Sequence, residues 1–324
     1  PAMEGAGGLA RRAGVHGRPG PAMGARDPPR TARVRTPGPA MNPATIRLFQ
    51  RAMHLWLLGV VLCAVPEADR LWQHPVSPVT QGAWIPVLVA ALPGSDRWAG
   101  LPAASLLLAM AAYGLWREPP RWVALTMAVL YTVLLHRSWL AATGGHWLMA
   151  NVLLWNVALR ERPSGAFEAR LAHLGFTAIR LQLCLAYAMS GLNKLAGTSW
   201  RDGTALLRVA SDEAYGPSEL LHHPALAAAL GHGMLVLLVA LPVALWVPAL
   251  RRTALITALL FHLLSGIWFP IPDMGLAFCA VLLCWTSPAE ALVVTRATLR
   301  FKALVLRWLG DGWAALAVFC SRNS

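Results

Sequence analysis

Lysine is rare in this chain, and one of its two lysines stands inside an apolar segment. Lys194 lies in the sequence SGLNKLAG, seven residues after Tyr187, so the two side chains share one face of a helix. The chain otherwise uses arginine, which stays protonated, whereas a desolvated lysine can lose its proton. Two interpretations stay open for Lys194: a base or ligand-contacting amine, or a side chain that snorkels to the membrane interface.

Polar and aromatic residues surround Lys194 and are predicted to contact a ligand with it: Tyr187, Asn193, Trp200 and Asp202. Trp200 is placed where interfacial aromatic residues lie. Asp202 precedes Gly203 in a predicted turn, and we expect it either to pair with Arg201 or to reach Lys194. A simple loop turn is the alternative. Arg180, fourteen residues before Lys194 on the same face, is expected to snorkel at the other end of the helix.

Two histidines are further candidates for the same site. His146 follows Gly144 and Gly145 at the start of an apolar run, and a water-capped interfacial histidine is the alternative. His262 lies within LLFHLLSG, inside an apolar run. An ionisable side chain at membrane depth is expected to face the bundle interior and bond a partner.

Familiar catalytic and metal-binding motifs do not accompany these residues. The five cysteines form no CxxC pair, and four of them lie in apolar runs, so we predict neither a disulfide framework nor a metal site. No HExxH, P-loop, DxD or glycine-rich nucleotide fingerprint is present. The residues alone predict a polar cavity in one half of a helix bundle.

Composition predicts the elements that must position these side chains. Of 324 residues, 56% are hydrophobic and 13% are charged, whereas soluble domains have about a quarter charged residues. The net charge of +13 comes without a basic patch interleaved with exposed aromatic residues, so no nucleic-acid partner is expected. The pattern is typical of an all-α, polytopic transmembrane helix bundle in a lipid bilayer.

Three segments differ in composition. Residues 1–44 are a low-complexity extension expected to be disordered, 45–290 form the transmembrane domain, and 291–324 are an amphipathic or interfacial segment. A further amphipathic stretch is predicted at 82–93. About eight spans are predicted, at 52–66, 98–116, 122–136, 147–159, 176–196, 227–250, 253–269 and 274–287.

Charge predicts the orientation of these spans. With the N-terminus inside, the loops on the cytoplasmic side hold an excess of arginine, and the opposite loops are mixed or acidic. An even number of spans with both termini cytoplasmic is therefore expected, in a multi-pass protein of the cell membrane. His146, Lys194, Trp200 and Asp202 then all lie at the outer side.

Three stretches of the chain resemble the HTTM (horizontally transferred transmembrane) family. They are ATGGHWLM at 142–149, YAMSGLNKLAGTSWRDGTAL at 187–206, and FHLLSG with DMGLAF and TSP within 261–288. The family includes the membrane domain of vitamin K-dependent γ-carboxylase and a bacterial membrane protein of sporulation-delaying toxin maturation. The resemblance covers about residues 45–290 and implies a bacterial inner-membrane location.

The resemblance implies roles for three residues. Lys194 matches the lysine taken as the base that deprotonates vitamin K hydroquinone, and His146 matches a loop histidine placed near the quinone. His262 matches a histidine within one of the family's spans. Asn193 stands where the carboxylase has another lysine, and no large lumenal region follows, so peptide γ-carboxylation is not expected. The resemblance implies a quinone- or lipid-like ligand with Lys194 as base, as in carboxylase-like lyase chemistry.

Two other functions remain open at this point. One is a non-catalytic membrane protein of peptide-toxin maturation, export or immunity, which would act through a peptide or protein partner. The other is a small-solute transporter, although no internal repeat of the kind typical of such proteins is detected.

Overall fold

The computed structural model describes residues 42–72, 100–212, 216–300 and 303. Residues 1–41 of the extension predicted to be disordered, the amphipathic stretch at 82–93 and most of the C-terminal segment 291–324 lie outside the described residues. Pro43 and Ala44, the last two residues of the predicted extension 1–44, lie in the first helix. Within the described residues the fold is all-helical, with no strand. The α-helices are α1 Pro43–Ala64, α2 Ala68–Trp72, α3 Leu101–Trp116, α4 Arg121–Arg137, α5 Gly144–Asn156, α6 Ala166–Ala196, α7 Thr198–Arg201, α8 Ala205–Ala210, α9 Pro224–Ala244, α10 Pro248–Trp268 and α11 Pro272–Leu282.

Helix starts follow local chemistry. The side chain of Asn42 caps α1 by accepting the N–H of Ala44 at 2.8 Å, and Pro43 takes the first helical position, where a missing N–H costs nothing. Proline likewise opens α9, α10 and α11. Short 3₁₀ turns occupy Val65–Glu67, Trp139–Ala141, Ser218–His222 and Leu283–Trp285, and residues 288–300 are helical.

Each predicted span coincides with one of these helices, but the lengths differ. Four helical segments are long and apolar enough to cross a membrane: Pro43–Trp72, Ala166–Ala196, Pro224–Ala244 and Pro248–Trp268. The α6 helix begins at Ala166, ten residues before the predicted start of span 5 at about residue 176. The helices α3, α4, α5 and α11 have 16, 17, 13 and 11 residues, fewer than the roughly 20 of a full crossing.

Ion pairs join the helices at one end of the bundle, here called the charged end. Arg47 donates from Nε to Glu161 at 2.8 Å, Arg121 pairs with Glu168 at 3.0 Å, and Arg160 lies 3.7 Å from Glu118. These pairs bring together the start of α1, the α3–α4 turn and the α5–α6 connection. Such neighbouring ends are what an alternating up-and-down order of helices requires.

The opposite end, here called the cavity end, contains the turns α4–α5, α6–α8 and α10–α11. The α5 and α11 helices touch closely there: a Cβ on Gly145 would lie 2.7 Å from the Cα of Met274. The α11 and α10 helices are equally close, since a Cβ on Gly275 would lie 2.5 Å from the carbonyl oxygen of His262. Glycine is therefore required at both positions by helix–helix contact.

Arg180 has a different role from the one predicted. Instead of snorkelling to the interface, its guanidinium donates to the carbonyl oxygen of Cys284 at 2.8 and 3.1 Å. It lies between the rings of Phe176 and Trp285, 4.7 and 4.8 Å from their centroids. Arg180 thus pairs a carbonyl oxygen of the 3₁₀ turn after α11 that has no backbone donor, and its guanidinium packs on two aromatic rings.

Candidate functional site

A cavity of about 690 Å³ lies towards the cavity end, between α1, α4 and α11. Its walls are mainly aliphatic, with side chains such as Val60, Leu134, Leu135 and Ala280. Leu55, which is 61% exposed, also lines it, so the cavity opens at the side of the bundle. A space of this size with apolar walls is typical of a small-molecule site.

His146, Thr143 and Asp273 form a polar network at one end of this cavity. The hydroxyl of Thr143 donates to Oδ2 of Asp273 at 2.6 Å and lies 2.9 Å from Nδ1 of His146. Nδ1 of His146 lies 3.3 Å from the same carboxylate oxygen. The network joins the first turns of α5 and α11, where helix dipoles favour a carboxylate.

The start of α5 fixes the orientation of His146. Thr143 is the N-cap, and its backbone N–H donates to Nδ1 of His146 at 3.1 Å, which forms a capping box with a histidine in the usual glutamate position. Because Nδ1 accepts this bond, the proton of the neutral ring is assigned to Nε2. Nε2 has no partner among the described residues, so it can donate to a ligand.

Trp56 and Tyr131 complete this end of the cavity. The indole Nε1–H of Trp56 donates to the carbonyl oxygen of Asp273 at 2.8 Å. Its ring packs edge-on against His146 and Tyr131, with centroids 5.7 and 6.0 Å away. The hydroxyl of Tyr131 is buried and has no hydrogen-bond partner among the described residues. An unpaired buried hydroxyl is costly, which makes it a candidate ligand contact.

Sequence reasoning placed only His146 at this end of the cavity and missed Trp56, Tyr131, Thr143 and Asp273. One signal was present for Asp273, which is the only charged residue of its predicted outer turn, on the same side as His146. Nothing in the sequence distinguishes Trp56 or Tyr131 from other aromatic residues in apolar runs. The partners of both depend on the packing of α1 against α11 and of α4 beside them.

His262 and Tyr187 form a separate buried pair. The hydroxyl of Tyr187 lies 2.8 Å from Nε2 of His262, and the imidazole stacks on Phe278 at 4.4 Å between centroids. His262 is 3% exposed, which confirms the prediction that it faces the bundle interior and bonds a partner. Neither residue lines the cavity of 690 Å³, so their predicted roles in catalysis and ligand binding stay predictions.

Lys194 and its neighbours form a third group. Nζ of Lys194 donates to the hydroxyl of Ser190 at 3.0 Å and lies 5.1 Å from the ring centroid of Trp200. The side chain is half-buried, Asn193 is exposed, and neither residue lines the cavity of His146. The cation–π contact and the hydroxyl bond explain how Lys194 is held without a carboxylate among the described residues.

Asp202 does not join Lys194. It accepts the N–H and the hydroxyl of Thr204, at 2.9 and 2.6 Å, and forms no ion pair with Arg201 or Lys194 among the described residues. These two hydrogen bonds lower the pKa of Asp202 below its usual value. Gly203 has a φ of 80°, so the predicted turn is confirmed, and the turn packs closely on Ala228 of α9.

The predicted site residues therefore fall into three groups rather than one. His146 lines the large cavity, Tyr187 pairs with His262 in the core, and Lys194 packs on Trp200, while Asn193 and Asp202 have surroundings of their own. No protein-family model, curated protein or solved structure matches the chain. The four long apolar helices indicate an integral membrane protein.

Proposed function

We propose that this chain is a multi-pass membrane protein whose large cavity binds a quinone- or lipid-like ligand. The observation that carries the proposal is the aliphatic cavity of about 690 Å³ with unused donors at one end. The hydroxyl of Tyr131 is buried without a hydrogen-bond partner among the described residues. The polar contacts of His146 with described residues all use Nδ1, which leaves Nε2 for a ligand. An apolar tail between α1 and α11 would leave the ligand's polar head near these two groups.

The charge at this end favours one type of head group. Asp273 holds a carboxylate 3.3 Å from His146, and a negative charge disfavours an anionic head beside it. The neutral oxygen acceptors of a quinone suit two donors, one from His146 and one from Tyr131. The lateral opening at Leu55 and Gly59 gives an apolar ligand a path from the bilayer.

Membership of the HTTM family, eight crossings with both termini cytoplasmic, and a bacterial inner-membrane location are part of this proposal. The three matching stretches support the family, and the separation of charged and cavity ends supports the alternating crossings. Reporter fusions in the loops at residue 162 and residue 139 are expected to report opposite sides of the membrane. Reporters on the same side would contradict the proposed order of crossings.

Lys194 as the base of a hydroquinone reaction is carried by the resemblance alone. Lys194 does not line the cavity. A hydroquinone whose head group lies beside His146 would therefore not bring its hydroxyl proton to Nζ of Lys194. The proposal therefore assigns binding to the cavity and keeps the base role of Lys194 as a separate prediction.

The substitution Tyr131→Phe tests ligand binding at the cavity. It removes one unpaired hydroxyl and keeps the ring that packs on Trp56. The affinity for a short-chain quinone, measured by equilibrium dialysis in detergent, is expected to fall about tenfold. The midpoint of thermal unfolding without ligand is expected to stay or rise, because the buried hydroxyl has no partner to lose.

The matched control is Tyr113→Phe, since Tyr113 is 43% exposed and does not line the cavity. Its quinone affinity is expected to equal that of the native protein. Equal affinities for all three proteins would contradict binding of the head group at Tyr131. A phosphatidylcholine competitor that displaces the quinone would indicate a lipid-like ligand instead.

A further inference from the structure

A second, smaller pocket of about 200 Å³ lies at the charged end of the bundle. The first turns of α1 contribute Arg47, Gln50 and Arg51, and the end of α3 contributes Trp116 and Arg117. Gly114, Glu118 and Glu161 form the rest of the lining. Unlike the large cavity, this pocket is lined mainly by charged and polar groups.

The two carboxylates in this pocket are already engaged. Glu161 accepts two hydrogen bonds from Arg47, of which the bond from Nε measures 2.8 Å. Glu118 accepts the backbone N–H of Glu161 at 2.9 Å and lies 3.7 Å from Arg160. Arg51 and Arg117 form no ion pair with any described residue. The pocket therefore has two positive charges that its own carboxylates leave uncompensated.

Tryptophans give the depth of this pocket in a membrane. Trp116 lines the pocket and is 73% exposed, and Trp122 in the next helix is 67% exposed. Exposed tryptophans of transmembrane helices concentrate at the level of lipid headgroups. The uncompensated guanidinium groups of Arg51 and Arg117 therefore lie where phosphate groups are abundant.

We propose that this pocket binds a phosphate-type anion between Arg51 and Arg117. Guanidinium groups bind phosphate oxygens through paired hydrogen bonds. The phosphate belongs either to an anionic phospholipid headgroup or to a free phosphate ion, and both present the same oxygens to the two arginines. The inference is independent of the quinone site, which lies at the opposite end of the bundle.

The test measures the affinity of the full chain in neutral detergent for three probes. These are short-chain phosphatidylglycerol, phosphatidylcholine of equal chain length, and inorganic phosphate. Phosphatidylglycerol is expected to bind more tightly than phosphatidylcholine. In the double variant Arg51→Gln and Arg117→Gln, the affinity for phosphatidylglycerol is expected to fall about 25-fold. Each cation near an anionic lipid contributes about fivefold to the affinity, and the variant removes two.

The matched control is the double variant Arg162→Gln and Arg170→Gln. These arginines are exposed at the same end and lose the same charge, but they do not line the pocket. Their substitution is expected to change the affinity less than threefold. A third variant, Arg51→Lys and Arg117→Lys, keeps the charge without the paired donors and is expected to be intermediate.

Competition separates the two sources of phosphate. Inorganic phosphate that displaces phosphatidylglycerol at millimolar concentration would assign the site to free phosphate, and failure to displace it would assign a lipid headgroup. Undiminished phosphatidylglycerol affinity in the Arg51/Arg117 glutamine variant would overturn the proposal. An equal loss in the control variant would also overturn it, because net charge alone would then explain binding.

Discussion

His146 and Lys194 were both predicted at the outer side of the bundle, yet their surroundings differ. His146 belongs to a network that joins α5 to α11 and faces a large apolar cavity. Lys194 bonds Ser190 of its own helix and packs on Trp200, six residues further along the chain. The first group depends on tertiary packing, and the second depends on local sequence.

This difference has a consequence for function. Residues that share a membrane depth need not share a site, because a bundle has several faces at each depth. A ligand in the large cavity would contact His146 and Tyr131, whereas Lys194 would contact only a ligand placed beside α6. Substitutions near His146 should therefore reduce stability and ligand affinity more than substitutions near Lys194.

The largest difference in stability is expected between alanine substitutions of two glycines, Gly145 and Gly197. The substitution Gly145→Ala places a Cβ within 2.7 Å of the Met274 backbone, which a rigid helix cannot avoid. We expect a loss of about 2 kcal/mol in the free energy of unfolding. In Gly197→Ala the nearest atom is Cδ1 of the Trp200 side chain at 3.3 Å, so a loss below about 0.5 kcal/mol is expected. Chemical denaturation in mixed micelles measures both, and equal losses would contradict the distinction.

The next largest difference in stability is expected between substitutions of two aspartates, Asp273 and Asp202. Asp273→Ala leaves the hydroxyl of Thr143 without its acceptor across α5 and α11, so a loss of about 1.5 kcal/mol is expected. Asp202→Ala removes only bonds to Thr204 within one exposed turn. A smaller loss is expected there, and the same denaturation series measures it. A larger loss in Asp202→Ala would mean that the Lys194 region contributes more to stability than the network of His146.

Ligand affinity separates the two groups directly. His146→Ala removes the free Nε2 donor, and the affinity for a short-chain quinone is expected to fall about tenfold, as for the loss of one hydrogen bond. Lys194→Ala and Lys194→Arg are expected to change it less than twofold, because Nζ lies outside the cavity lining. Equilibrium dialysis measures all three. A tenfold loss in both lysine variants would show that the ligand reaches Lys194 and would favour its predicted role as base.

The smallest effect is expected for the dependence of unfolding stability on acidic pH, through Asp202. The pKa of Asp202 is lowered by the bonds from Thr204, so its ionised form stabilises the fold above the unfolded-state pKa. That contribution is lost as the pH falls from 3.8, the ordinary pKa of an aspartate side chain, through the lower folded-state pKa. Asp202→Asn is expected to flatten unfolding stability over this interval. An unchanged pH profile would mean that Asp202 has the same pKa in the folded and unfolded states.

The sequence by itself predicted the all-helical class and a helix for every proposed span, because apolar runs between turn-forming residues are a local signal. It also predicted the turn at Asp202 and the interior orientation of His262. The position of Lys194 at the end of α6 follows from the same local pattern.

Only the tertiary structure decided which of these residues meet. Thr143, His146 and Asp273 come from two connections separated by more than a hundred positions, and their contact requires α5 and α11 to touch at Gly145. The cavity and the unpaired hydroxyl of Tyr131 depend on the space left between α1, α4 and α11. Periodicity fixes the face of one helix, but the partner of that face depends on how all the helices pack together.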